Sequence, residues 1–79
     1  MIRDYLDAAL SRARYTQLDA GSYAAEVRGL RGVIATGRTI EACRKSLEAV
    51  VEEWVLVRVA RGLSIPSLGG AKIRIRKAG

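Results

Sequence analysis

The 79-residue chain has no histidine and no phenylalanine, and only one cysteine, one proline and one tryptophan. Each scarcity excludes something. Without histidine there is no imidazole base, no imidazole metal ligand and no partner that would activate Cys43 as a nucleophile. A single cysteine forms no intramolecular disulfide and no multi-thiolate metal site. No apolar run approaches the roughly 18 residues of a membrane span, and no segment reads as a signal peptide, so the expected compartment is the cytoplasm, with no membrane partner. Hydrophobic residues make up 49% of the chain, but twelve of them are alanines. The core is therefore thin, and its largest pieces are Trp54, Tyr5, Tyr15 and Tyr23. A small domain with a thin core commonly gains stability by self-association.

Acids are also few. Fourteen Lys and Arg face eight Asp and Glu, for a formal net charge of +6. Such a balance suits an acidic protein, an anionic surface or nucleic acid. A metal-dependent nuclease needs carboxylates that converge on one point. Asp19, Glu26 and the helix acids Glu41 and Glu48 read instead as scattered surface groups. No catalytic residue, metal ligand or cofactor is expected, and the chain is not read as an enzyme.

What is present is a clear alternation of periods. Residues 2–12 place Ile2, Tyr5, Leu6, Ala9 and Leu10 at helical spacing. Tyr15 to Leu18 reads as a strand, followed by the hairpin residues "DAGS". Tyr23, Ala25 and Val27 alternate with Ala24, Glu26 and Arg28, which marks a second strand with one apolar face. "GVIAT" gives a third. Thr39 is a fitting N-cap with Glu41 in the first turn, and Gly62 a fitting C-cap. Between them runs the longest element, a helix of about 22 residues by its 3–4 periodicity. Its stripe Ile40, Cys43, Leu47, Val50, Trp54 and Val57 is expected to face the sheet. Val51, Val55, Leu56 and Val59 are then left over as a self-assembly interface, which predicts a homodimer or a dimer of dimers. "KIRIRK", residues 72–77, alternates as a charged edge strand.

The fold class is therefore α+β, one small domain in the order α-β-β-β-α-β. It has an N-terminal helix at 2–12, a sheet and long helix over 14–62, and a C-terminal strand at 72–77. The stretch "EVRGLRGVIATGRT" holds three glycines among Arg28, Arg31 and Arg38. It lacks the pattern of a phosphate-binding loop, and its glycines read as turns. Gly37 precedes a helix start, which leaves an anion site as a minor reading. Arg28, Arg31 and Arg38, with Lys72, Arg74 and Arg76 of the tail, are the candidate contacts to an anionic partner. A nucleic-acid-binding module is the alternative they leave open.

The stretch "YAAEVRGLRGVIATGRTIEACRKSLEAVVEEW", with "RGLSIP" after it, resembles the HicB-like antitoxin family. The matching positions are Tyr23, Glu26, Val27, Leu30, Gly32, Ala35, Gly37, Thr39, Glu41, Ala42, Leu47, Trp54, Gly62, Ile65 and Pro66. The start "IRDYLDAALSRARY" is similar to a subgroup with an extra N-terminal helix. The likeness is to a stand-alone domain, without the DNA-binding module that many members carry after it. Where relatives often read "PDLPG", this chain reads "RGLRG". The resemblance implies a partial RNase H-like sheet packed on one long helix, without a nuclease centre. It also implies an antitoxin of a toxin-antitoxin system, with a HicA-like, mRNA-cleaving toxin as its partner.

Overall fold

The computed structural model describes residues 2–68. Five elements appear in it: α1 (Ile2–Ser11), β1 (Ala13–Gln17), β2 (Tyr23–Val27), β3 (Ile34–Gly37) and α2 (Ile40–Ala60). The strands form one antiparallel sheet in the order β1-β2-β3. The molecule is thus a small α+β domain of three strands and two helices. The expected strand at 72–77 lies outside the described residues. None of the described helices is long and apolar enough to cross a membrane.

α1 forms because its apolar residues fall on one side and an acid, Asp4, sits in the first turn, where the helix dipole favours it. Tyr5, Leu6, Ala9 and Leu10 are all buried. On the exposed side Arg3 pairs with Asp7 at 2.8 Å and reaches Glu48 of α2 at 3.1 Å. Both pairs are solvated, so they orient the helix more than they stabilise it.

The sheet alternates as its sequence does. Ala25, Val27 and Ala35 are buried on the face covered by the helices, while Arg14, Thr16, Glu26, Ile34 and Thr36 are exposed on the other. In the register, Ala25 stands between Tyr15 and Ala35, and Glu26 between Arg14 and Ile34. β1 begins at Ala13, two residues before the expected start, and this brings Arg14 into the ladder.

Small side chains decide how α2 meets this sheet. Ala25 and Ala35 are neighbours across β2 and β3, and Cys43 lies over them with Sγ 3.7 Å from the carbonyl oxygens of Tyr23 and Ala35. At Gly37 the backbone of β3 touches the backbone of α2. A Cβ placed there would stand 2.8 Å from Cys43 Cα and 2.9 Å from Ala42 C, and closer still to Cys43 N. Thr39 then starts the helix, its hydroxyl accepting the Ala42 N–H at 3.0 Å.

From this start the buried row of α2 is Cys43, Leu47, Val51 and Val55, spaced by four. The expected stripe is therefore corrected. Ile40 and Val57 remain 49% and 45% exposed, and Val50 and Trp54 flank the core. Val51 and Val55 are fully buried in the chain's own core and cannot belong to a self-assembly surface. Leu56 and Val59 do stay exposed. The reason is phase: fixing Cys43 over the two alanines carries the i+4 row, not the i+3 row, along the sheet.

α2 closes with a Schellman arrangement. The Gly62 N–H donates to Val59 O at 3.1 Å and the Leu63 N–H to Arg58 O at 2.8 Å. The chain then folds back. The Tyr5 hydroxyl donates to the Pro66 carbonyl, and Leu68 is buried beside Gly29.

Two outcomes follow. Gly37→Ala should lower the free energy of unfolding in urea by about 1–3 kcal/mol, because two stretches of backbone must move apart. Burial raises the Tyr5 phenol pKa above its usual 10.0, with nearby Arg58 opposing the shift. The folded phenol keeps its proton to higher pH than the unfolded one, so this contribution is intact below pH 10 and lost as pH rises through the folded value. Tyr5→Phe should cost about 1 kcal/mol at neutral pH and make the alkaline loss of stability shallower in a pH series of melts.

Candidate partner-binding face

The side of the sheet turned away from the helices is uncovered by any described residue, and at one end it is bordered by an unusual connection. Residues 28–33 read Arg-Gly-Leu-Arg-Gly-Val, twice an Arg-Gly followed by a branched apolar residue. In the first unit the Leu30 N–H donates to Val27 O at 3.1 Å, closing a β-turn with Gly29 at φ +96°. In the second, Gly32 holds φ +78°. Each glycine takes the left-handed conformation that a turn with positive φ at its third residue demands. Each unit then ends in a buried anchor, Leu30 or Val33, which are 4% and 1% exposed. Arg28 and Arg31 stand at the corners, both exposed.

This double turn, the starts of β1 and β3 and the end of β2 enclose an open groove of about 540 Å³. Arg14, Arg28, Arg31, Glu26 and Ile34 line it. Ile34 is 60% exposed, the most exposed of the large apolar side chains described. Among the described residues, Arg14, Arg28 and Arg31 form no ion pair. The groove is thus mixed in character: an apolar patch, three guanidiniums and one carboxylate. Guanidiniums in such a rim are suited to carboxylates or phosphates of a partner.

The expected contacts divide accordingly. Arg28 and Arg31 come together. Arg38 lies beyond the opposite end of β3 and is no part of the groove. Lys72, Arg74 and Arg76 lie outside the described residues. Arg14 was not among the expected contacts; its signal was the alternation Ala13, Tyr15 inward against Arg14, Thr16 outward.

The other candidate chemistry disperses. Asp19 is in the β1–β2 hairpin, Glu26 at the far end of the outer face, and Glu41 and Glu48 on α2. Among the described residues no three His, Cys, Asp or Glu side chains stand close enough to hold a metal ion. The anion site beside Gly37 is also corrected. Gly37 is packed on Cys43, Thr39 takes the Ala42 N–H, the Thr39 carbonyl takes the Cys43 N–H at 2.9 Å, and Glu41 places a negative charge in the first turn. Cys43 itself is fully buried, and burial pushes its thiol pKa up from 9.0.

The family model for UPF0150-like proteins matches residues 4–66, a span that holds the three strands, the double turn and all of α2. The chain belongs to the UPF0150-like family. This is a HicB-like family in the antitoxin superfamily. Among solved structures, the chain is similar to TTHA0281 from Thermus thermophilus, seen in a crystal structure. The two are 35% identical, with a TM-score of 0.89 over 96% of this chain and 95% of that one. No curated protein matches the chain. The shared fold therefore spans the sheet and both helices.

Because Cys43 of α2 is sealed against the sheet, its alkylation reports the lifting of that helix from the sheet. Iodoacetamide should modify the native protein slower than the urea-unfolded chain by about two orders of magnitude or more, read by mass spectrometry.

Proposed function

We propose that this chain is a non-catalytic antitoxin that binds a small HicA-like, mRNA-cleaving toxin and covers its active surface with the outer face of the sheet. The observation that carries the reading is that face, in a member of a HicB-like family: open, and bordered by the double turn. Ile34 and the groove supply apolar area, and Arg14, Arg28 and Arg31 supply direction. Apolar contact gives such an interface its affinity, while the charged rim steers encounter and selects the partner. The toxin surface that meets the double turn is accordingly acidic. The N-terminal-helix subgroup, a partial RNase H-like ancestry of the sheet and a cytoplasmic location belong to the same reading.

The test is co-expression with a HicA-like toxin encoded beside this chain's gene. Growth should be restored, and the two proteins should co-purify in high salt. Arg28→Glu with Arg31→Glu should weaken the complex by about tenfold or more, while the melting curve of the isolated protein stays unchanged. Toxin cleavage of RNA that is undiminished by an excess of this protein overturns the proposal.

The clustering of three arginines favours one second reading, a nucleic-acid-binding module on the same scaffold. Three phosphate contacts to a single strand would give a slope of about −2 in a plot of log affinity against log salt. Toxin binding with an apolar centre gives a much weaker salt dependence.

A further inference from the structure

Seven large apolar side chains remain exposed among the described residues, and four of them, Leu56, Val57, Val59 and Leu63, fall within eight positions at and just after the end of α2. The geometry explains the concentration. A strand of five residues covers about 17 Å, whereas a helix of 21 residues runs about 31 Å. α2 therefore overhangs the sheet, and its last turns bury Val55 but leave Leu56, Val57 and Val59 exposed.

On one side of this overhang the helix and Leu63 form a cleft of about 340 Å³, with Val50, Trp54 and Val57 along it and Glu53 and Arg61 at its margins. Its wall is fixed. The Arg58 guanidinium lies 4.9 Å from the Trp54 ring centre, and its Nε donates to Ser64 O at 2.7 Å. Arg58 is thereby engaged within its own chain. Glu53 and Arg61 are the exposed charges left, each four residues from Val57, one before it and one after.

That spacing is self-complementary. A two-fold axis at Val57 relating two antiparallel copies of α2 sets Glu53 of each level with Arg61 of the other, and Trp54 level with Ala60, a large side chain beside a small one. The axis thus sets two Glu53–Arg61 pairs across the contact, in a chain whose net charge is +6. We infer that the cleft beside Trp54 is the seat of a second copy of this chain, the two α2 helices crossing antiparallel at Val57. The dimer surface is thus the Val57 side of the overhang, and Leu56, on a different side of the helix, is outside it. The sheet face stays open in both copies.

Sedimentation equilibrium of the full chain at low and physiological salt tests this. The wild-type mass should rise with concentration from 8.6 kDa toward twice that value. Glu53→Arg and Arg61→Glu should each weaken the dimer by about tenfold or more, since each change acts twice across the axis. The combined exchange should return the affinity to within about threefold of wild type. The two single changes move the net charge in opposite directions, so general repulsion would push them apart rather than together. Val57→Ser, which adds no charge, should also weaken the pair, and Leu56→Glu should not. A monomer at every concentration, a combined exchange that fails to rescue, or dissociation by Leu56→Glu alone overturns the inference.

Discussion

Everything in this small domain depends on the closeness of α2 to β3 at Gly37. Backbone meets backbone there, with no side chain between, and Ala25 and Ala35 keep the adjoining sheet low enough for Cys43 to settle on it. The contact sets three things at once. It fixes the distance between helix and sheet, the rotation of the helix about its axis, and the point along the sheet from which the helix departs. An interior with no phenylalanine, and with Ala25 and Ala35 at the contact, is suited to this. It gives up the burial of large side chains, each worth about 1.5–3 kcal/mol, and gains a tightly matched interface between main chains.

The rotation determines which apolar residues the molecule keeps and which it presents. With Cys43 fixed, Leu47, Val51 and Val55 follow into the core, and Leu56, Val57 and Val59 are carried outward. The departure point determines how much helix overhangs. The two faces that remain available, the outer sheet and the overhang, are thus by-products of one contact on the opposite side of the sheet. They share no lining residue.

Much of the fold was legible in the sequence because local signals agreed. Asp4 and the apolar face of α1, the hairpin at Asp19–Ser22, the alternation at Tyr23–Val27, and Thr39 with Glu41 at the start of α2 each carry their own physical cause. The phase of α2 was not legible. "VVEEWVLVRVA" contains two apolar rows at helical spacing, and periodicity alone does not say which one meets a sheet. The deciding residues, Gly37, Ala25 and Ala35, lie outside the helix and act through a tertiary contact. The binding face was half legible. Arg28 and Arg31 are conspicuous between glycines, but Arg14 joins them only through the pairing of β1 with Glu26 on β2, and Arg38, equally conspicuous, is sent to the other end of β3.

The repeated unit of the double turn divides labour among its residues. The glycine shapes the backbone, the following Leu30 or Val33 ties it to the core, and the arginine does neither. Positions 28 and 31 can therefore change their chemistry with little effect on folding. A scaffold of this kind can exchange one partner for another by rewriting two side chains, so proteins that share its core to near identity can still differ entirely in what they recognise.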